Sequence, residues 1–185
     1  QAAGLPMQPA MVDADFGERY SRHLRLPGVG LEGQKALEAS RVLLVGAGGL
    51  GSPAAYYLAA AGVGTLRIAD DDVVDRSNLQ RQILHTEARV GVPKVESARI
   101  ALTALNPSIE VEVLPQRITS QNVEALIADA DVVLDAECAC DDVALRVTAR
   151  QRTQRGTWAH LQQHAAAVLE QAFQRPGELH RLAKL

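Results

Sequence analysis

A chain of 185 residues with 47% hydrophobic content is long enough to form one domain with its own core. Aromatic residues make up only 3% of it, so aliphatic side chains must fill that core. The formal net charge of −3 and the lack of a dense basic stripe argue against a nucleic acid partner. Apolar stretches fall well short of the roughly 20 residues that cross a bilayer, so no membrane partner is expected.

The chain contains two cysteines, Cys138 and Cys140. They stand too close together for a disulfide framework and lack the second ligand pair of a structural zinc site, so no zinc is expected. This cysteine usage fits a reducing compartment, and the predicted location is therefore the cytoplasm.

Two segments precede the first predicted strand. Residues 1–15 are expected to be a flexible leader. Residues 16–40 contain two short helical pieces separated at Pro27 to Gly30, and they are expected to form a helical arm rather than a domain.

From residue 41 onward, predicted strands alternate with predicted helices. The segment RVLLVGAGGLG at 41–51 predicts a strand that leads directly into a glycine-rich turn. The next predicted elements are a helix at 52–62, a strand at 65–72, a helix at 93–105, a strand at 109–114, a helix at 120–129 and a strand at 131–136. Pro93 is expected at a first helical position and Ser120 as an N-cap.

This alternation predicts an α/β fold for residues 41–146. Strands separated by helices form parallel pairs with right-handed crossovers. We therefore expect a Rossmann-like, mainly parallel sheet of about four strands, flanked by helices.

No strand is predicted within 141–185, and residues 147–185 are expected to form a divergent helical segment. Apolar residues from Trp158 to Ala172 recur at helical spacing, which predicts a helix at about 157–173. The strand at 131–136 would then be a sheet edge, and an uncovered apolar edge invites pairing with another chain. We expect the helix to cover this edge or to be exchanged between two chains of a homodimer.

Gly46, Gly48 and Gly51 form a GxGxxG pattern between the first strand and its helix. This pattern lets backbone N–H groups approach a phosphate at a helix N-terminus. Asp70 follows the second strand, where a carboxylate can accept hydrogen bonds from ribose hydroxyls. The same features suit an NAD-dependent oxidoreductase, so they leave the identity of the nucleotide open.

Two cations near this turn favour a ligand with more phosphate charge. Lys94 is predicted in a first helical turn, where a cation is unfavourable by roughly 0.3–1 kcal/mol unless an anion lies nearby. Arg81 lies in a polar run outside the predicted elements, and its planar guanidinium suits phosphate oxygens. For either residue alone, a solvated surface charge is the alternative. Beside a phosphate turn, the pair indicates a phosphate ligand.

Five motifs follow one another between residue 19 and about residue 136: RYSRH, GAGGLGSP, ADDDVVDRSNLQRQ, GVPKVESA and LNP. Together they resemble the MoeB/ThiF/HesA family of ubiquitin-activating-type adenylation domains. The resemblance implies an ATP-dependent adenylyltransferase that activates the C-terminal carboxylate of a ubiquitin-like sulfur-carrier protein ending in Gly-Gly, as in molybdopterin or thiamine biosynthesis. It also implies ATP and Mg²⁺ as cofactors.

The resemblance further implies roles for individual residues. It assigns Gly49 to the nucleotide-binding turn and Asp70 to the ribose. The other residues implied around the nucleotide are Asp72, Asn78, Arg81, Gln82 and Lys94. Arg22 matches an arginine that reaches, in the family, into the active site of the other subunit, which is a second reason to expect a homodimer. The family usually has glutamine where this chain has His23.

The family's Mg²⁺ ligand is an aspartate just after the fourth strand, and here the sequence departs from the family pattern. Without a gap, Cys138 takes the place of that aspartate and adenylation would be impaired. With a three-residue insertion, Asp141 becomes the Mg²⁺ ligand and residues 143–146 also fit the family, so we prefer this alignment. Asp141 could instead cap the next helix, or serve both roles. The predicted catalytic residues are Arg22, Arg81, Lys94 and Asp141.

The resemblance stops at Arg146. The strands and paired zinc-binding cysteines that family members carry downstream have no counterpart in residues 147–185. A non-catalytic relative that binds a nucleotide or a partner protein is therefore the alternative function. An NAD-dependent oxidoreductase is a third possibility, which gives no role to the predicted cations.

Overall fold

The computed structural model describes residues 13–119 and 121–136, together with the backbone of a short strand at Arg146–Ala149. Several predicted features lie outside these residues: Ser120, Cys138, Cys140, Asp141 and the predicted helix at 157–173. None of the helices in the described part of the chain has the length and hydropathy of a transmembrane segment.

The centre of the fold is a five-stranded sheet whose first four strands are parallel. The strands are β1 (Arg41–Val45), β2 (Thr65–Ala69), β3 (Glu110–Leu114), β4 (Val132–Asp135) and β5 (Arg146–Ala149). Their spatial order is β3-β2-β1-β4-β5. After β1, strands β2 and β3 are added on one side, and the chain then returns to add β4 on the other side of β1. The boundary between β1 and β4 is therefore the topological switch point of a Rossmann-like fold. The predicted α/β fold class is confirmed.

Five α-helices accompany the described part of the sheet. They are α1 (Ala14–Arg19), α2 (Gly30–Glu38), α3 (Gly51–Ala61), α4 (Lys94–Leu105) and α5 (Val123–Ile127). Three short 3₁₀ helices lie at His23–Arg25, Arg76–Asn78 and Glu87–Arg89. The segment before β1 thus has two α-helices with a 3₁₀ turn between them, and α1 begins at Ala14, within the segment predicted as a leader.

Strand β1 is buried between two apolar layers. Val42 and Leu44 pack into a cluster with alanines of α3 and α4. Leu43 and Val45 point to the opposite face, where Leu126 of α5 covers them. Because side chains alternate across a strand, this division shows that helices cover both faces of the sheet.

The expectation that no strand follows residue 141 is wrong. Strand β5 pairs antiparallel with β4, from Val132 opposite Ala149 to Asp135 opposite Arg146. A four-residue strand is too short to show a clear period-two pattern, which is why the sequence did not reveal it. Because β5 covers β4, the predicted exposed edge at 131–136 is also wrong.

Two helix starts differ from their predictions. Pro93 is the N-cap of α4 rather than its first residue, so Lys94 begins the helix. Helix α5 begins at Val123 after Asn122, and it is shorter than the predicted helix at 120–129. The Asn122 side chain accepts a hydrogen bond from the Thr119 N–H at 2.7 Å, so it stabilises the loop before the helix.

Candidate functional site

The glycine-rich turn joins the carboxyl end of β1 to the N-terminus of α3. Gly46 has a φ of 87°, and its N–H donates to the Ala69 carbonyl at the end of β2, at 2.8 Å. No side chain caps the start of α3. In the first turn of α3, Ser52 and Ala54 already donate their N–H groups to the Gly48 and Leu50 carbonyls, and Pro53 has no N–H. Among the described residues, the N–H groups still available to an anion at this turn are therefore those of 48–51.

Gly51 is required by the tightness of this turn. A Cβ added at Gly51 would overlap the Gly46 carbonyl oxygen, and it would lie 3.6 Å from the Ala136 Cβ. Ala136 directly follows β4, and its N–H donates to the Val45 carbonyl at 2.8 Å. The turn is therefore packed into the crevice between β1 and β4, where ligands bind in folds of this type.

Asp70 lies buried below the turn and accepts two backbone hydrogen bonds. Its Oδ2 accepts from the Ala47 N–H at 2.8 Å, and its Oδ1 accepts from the Asp72 N–H at 2.9 Å. The carboxylate thus connects the glycine-rich turn to the loop after β2. Each oxygen retains a further lone pair, so a ribose contact remains compatible with this structural role.

Lys94 is buried and forms an ion pair with Asp72. The Lys94 Nζ donates to Asp72 Oδ2 at 2.8 Å, and the exposed fractions of the two side chains are 5% and 69%. The Lys94 N–H also donates to the Asp72 carbonyl. Lys94 is therefore not a solvated surface charge, because its ammonium group is held in place by a carboxylate that faces solvent.

Arg81 lies against the glycine-rich turn. A Cβ added at Gly49 would lie 3.6 Å from both Cγ and Cδ of Arg81, so the stem of this side chain passes beside Gly49. Its guanidinium Nη2 donates to Asn78 Oδ1 at 2.9 Å. The structure thus brings Asn78 and Arg81 together beside the turn.

Gln82 is buried at the same turn with an unsatisfied acceptor. Its Oε1 has no hydrogen-bond partner among the described residues, and only 5% of the residue is exposed. Its Nε2 would lie 3.6 Å from a Cβ added at Gly48. A buried amide oxygen without a donor is costly, so a ligand or water that donates a hydrogen bond would stabilise this position.

His85 is a member of the site that the sequence analysis did not identify. Its Nε2 lies 2.9 Å from the Ala47 carbonyl oxygen and its Nδ1 lies 2.9 Å from Ser97 Oγ. A carbonyl can only accept, so Nε2 carries the proton and Nδ1 accepts from the Ser97 hydroxyl. His85 therefore ties the glycine-rich turn to α4, and no local motif marks it.

Burial lowers the pKa of His85 below its usual value. The nearby charges of Lys94 and Arg89 lower this pKa further, while the Ala47 carbonyl and Asp70 raise it. The neutral imidazole is thus the favoured form, in agreement with the hydrogen bonds that it makes.

Arg22 does not join these residues within one chain. It is exposed and precedes the 3₁₀ helix His23–Arg25. The neighbouring His23 is bonded to Gln34 of α2, which donates to the Ala61 carbonyl at the C-terminal end of α3, at 2.8 Å. Since α3 has 11 residues, the glycine-rich turn lies about 16 Å away along the helix axis.

The described residues contain no group of three or more His, Cys, Asp or Glu side chains placed to bind a metal ion. Magnesium in nucleotide sites is usually bound by one or two carboxylates together with phosphate oxygens, so such a group is not required. The exposed carboxylate of Asp72 near Lys94 is compatible with this kind of donor set. The predicted ligand Asp141 lies outside the described residues.

A separate cavity of about 380 Å³ lies on the arm side of the molecule. Its lining includes Phe16, Tyr20, Lys35 and Pro107. None of the predicted nucleotide-site residues lines it, so it is distinct from the glycine-rich turn.

Comparison with known proteins agrees with this geometry. The ThiF family model matches residues 20–162. The chain is 54% identical to the SAMP-activating enzyme E1 of Haloferax volcanii over 68% of its own length and 46% of that protein. It is 51% identical to the sulfur carrier protein ThiS adenylyltransferase of Escherichia coli, over 74% of the chain and 53% of that protein.

Comparison with solved structures also supports the Rossmann-like fold. Escherichia coli tRNA N6-threonylcarbamoyladenosine dehydratase in complex with ATP matches with a TM-score of 0.64 and 29% identity, over 69% of this chain and 52% of that chain. The chain spans about half the length of the curated relatives it matches. The family match covers most of the chain and includes the glycine-rich turn, Asp70 and both cations, and the chain therefore belongs to the ThiF family.

Proposed function

We propose that the protein is an ATP-dependent adenylyltransferase that activates the C-terminal carboxylate of a ubiquitin-like sulfur-carrier protein ending in Gly-Gly. The observation that carries this proposal is the position of two cations near one glycine-rich turn. Arg81 lies beside Gly49, and Lys94 pairs with Asp72, whose N–H is bonded to the same Asp70 carboxylate that accepts from Ala47 of the turn. A helix N-terminus with two cations beside it suits a triphosphate better than a ligand of lower charge. The relatives described above, a ThiS adenylyltransferase and a SAMP-activating enzyme, support the same reaction.

In this reaction, a carboxylate oxygen of the carrier attacks the α-phosphorus of ATP. A bond forms between these two atoms, the bond from the α-phosphorus to the β-phosphate oxygen breaks, and pyrophosphate leaves with the electron pair. Both reactants are anions, so the barrier falls when Arg81 and Lys94 neutralise the phosphates and hold them in line. No side chain has to act as a nucleophile.

Other predicted residues complete the proposed site. Asp70 and the turn glycines would hold the ribose and phosphates, with Asn78 orienting Arg81. Asp141 would hold Mg²⁺, which when bound supplies further positive charge at the phosphates. Asp72 would keep Lys94 aligned.

We also infer that the active unit is a homodimer. The neighbours of Arg22, Tyr20 and His23, are tied through buried amides to the end of α3 opposite the turn, so Arg22 starts from a position distant from the nucleotide site of its own chain. In a homodimer, each chain would donate Arg22 to the other. A cytoplasmic location is the natural setting for such an enzyme and its carrier.

ATP–pyrophosphate exchange tests the proposal directly. The full chain is incubated with ATP, Mg²⁺, labelled pyrophosphate and purified candidate carriers that end in Gly-Gly. Carrier-dependent exchange is the expected result. ATP binding without exchange by any carrier would contradict the adenylyltransferase and favour the non-catalytic relative.

Calorimetric titration with ATP and with NAD tests the oxidoreductase alternative. We expect tighter binding of ATP, because NAD has no terminal phosphate for Arg81 and Lys94 to neutralise. Equal or tighter binding of NAD would contradict the proposed nucleotide.

A further inference from the structure

The arm is joined to the body of the protein by buried polar side chains. Gln34 of α2 is fully buried, and its Nε2 donates to the Ala61 carbonyl at 2.8 Å. Because that amide nitrogen is the donor, the Gln34 Oε1 accepts from His23 Nδ1–H at 2.7 Å. Through Gln34, His23 is thus connected to the last residue of α3.

A second connection runs through Asn106, which is also fully buried. Its Nδ2 donates to the Ala59 carbonyl at 2.8 Å and to Tyr20 Oη at 2.9 Å. Its Oδ1 accepts from Ser108 Oγ at 2.7 Å. Every polar atom of this amide is therefore satisfied, and Tyr20 is bound to the last turn of α3.

The end of α3 is shaped to receive Tyr20. Gly62 ends the helix with a φ of 83°, and a Cβ there would overlap the Tyr20 hydroxyl. The Tyr20 side chain is only 5% exposed. Tyr20 therefore fits against the C-terminus of α3 in a way that any larger residue at position 62 would prevent.

Tyr20, His23, Gln34 and Asn106, which we call the arm clamp, immobilise the residues on both sides of Arg22. Arg22 itself is exposed and forms no ion pair with any residue that the structure describes. Burying two amides is favourable only when their hydrogen bonds are made. Here the bonds of Gln34 to His23 and to the Ala61 carbonyl, and the bond of Asn106 to Tyr20, fix the arm.

We propose that the arm clamp is a positioning device, which holds Arg22 in place for the nucleotide site of a second copy of this chain. The proposal rests on the proposed function, in which Arg22 acts across a subunit boundary. It adds that His23 and its partners do not touch the nucleotide, but determine where Arg22 is presented. A substitution in the arm clamp should therefore impair the nucleotide site of the neighbouring chain and leave the nucleotide site of its own chain intact.

Mixed dimers with one functional site test this proposal. One subunit carries Arg22→Ala with an intact nucleotide site, the other carries Lys94→Ala with an intact arm, and two affinity tags isolate the mixed dimer. His23→Ala is then added to one subunit or to the other. His23 is half-buried and makes one bond to Gln34, so its replacement is compatible with folding.

Calorimetric titration with ATP is the readout. With His23→Ala on the arm-donating subunit, we expect ATP affinity to fall roughly tenfold, the size of one charge-assisted hydrogen bond. With His23→Ala on the other subunit, we expect no change. His23→Gln on the arm-donating subunit should restore binding, because glutamine can also donate to Gln34. Arg25→Ala, an exposed change in the same 3₁₀ helix, should have no effect.

The outcomes separate this inference from the proposed function. An equal loss of ATP affinity with His23→Ala on either subunit would make the arm clamp a general stabiliser. That result, or no loss with His23→Ala on either subunit, would overturn this inference but leave the proposed function standing. If the mixed dimer without His23→Ala binds ATP no better than the Arg22→Ala homodimer, then Arg22 does not act between subunits. That result would overturn the donation of Arg22 between subunits, which is part of the proposed function, and it would overturn this inference as well.

Discussion

Lys94 and Asp72 form an ion pair near the glycine-rich turn. The Lys94 ammonium is almost fully buried, whereas Asp72 remains exposed. Burial of the lysine stem reduces its freedom, so less entropy is lost when the ammonium contacts a phosphate. The pair thus provides a positioned cation whose partner can stay hydrated.

Lys94→Ala should weaken ATP binding by about 1.5–3 kcal/mol, the range for a hydrogen bond to a charged group. It should also lower the free energy of unfolding by about 1 kcal/mol, because buried stem packing is lost. The helix dipole acts in the opposite direction, because a cation in a first helical turn is unfavourable by roughly 0.3–1 kcal/mol. Calorimetry and urea unfolding measure the two effects, with the exposed Lys35→Ala as a matched control that should change neither. Unchanged ATP affinity in folded Lys94→Ala protein would make Lys94 purely structural.

His85 predicts a pH dependence of stability. Burial lowers its pKa in the folded protein below the usual 6.5, so the unfolded chain binds a proton at higher pH than the folded chain does. The contribution of His85 to stability is therefore fully present above about pH 7 and is lost as the pH falls below that value. His85→Gln should make the free energy of unfolding less dependent on pH between about pH 7.5 and pH 5.5. Urea titrations at both pH values measure this, and identical pH dependence in the two proteins would show that His85 is not responsible.

At the level of elements, the junction between β1 and α3 depends on one close backbone approach. Gly51→Ala places a methyl group against the Gly46 carbonyl, which must move. We expect a loss of about 1–3 kcal/mol in the free energy of unfolding, as for overpacking of a rigid site. Gly48→Ala is the matched control, since its Cβ would meet only Gln82 Nε2 at an ordinary 3.6 Å. A Gly51→Ala protein as stable as Gly48→Ala would contradict this account of the turn.

Strand β5 changes the interpretation of the sheet edge. Because β5 hydrogen-bonds to β4, the edge of β4 does not need a C-terminal helix or a second chain to pair with it. The edge of β4 therefore gives no reason to expect a dimer. The remaining reason to expect a homodimer is the position of Arg22 in the arm.

For the whole molecule, we expect a homodimer in solution. Arg22→Ala should remain dimeric and lose carrier-dependent exchange by ten- to a hundredfold or so, because one charge-assisted contact to the phosphates is lost. Light scattering on both proteins measures the assembly, and the exchange assay measures the effect on activity. A monomer that supports full exchange would contradict the donation of Arg22 between subunits.

The sequence by itself determined the α/β fold class, the first four strands and the nucleotide-site candidates. Buried parallel strands leave continuous apolar runs, and the GxGxxG turn has a local steric cause, so both can be recognised from neighbouring residues. Asp70 was identified from its place at the end of a strand and Lys94 from its place at a helix start, whereas Arg81 was identified from its guanidinium in a polar run and from the family motifs.

Only the tertiary structure decided which of these side chains are partners. The ion pair of Lys94 with Asp72 joins residues 22 positions apart, and the contact of His85 with Ala47 spans 38 positions. The arm clamp joins Tyr20 to Asn106 across 86 positions. Such contacts depend on how strands and helices pack, so they leave no periodic signal in the sequence. The pairing of β5 leaves none either, because a strand of four residues is too short to show a period.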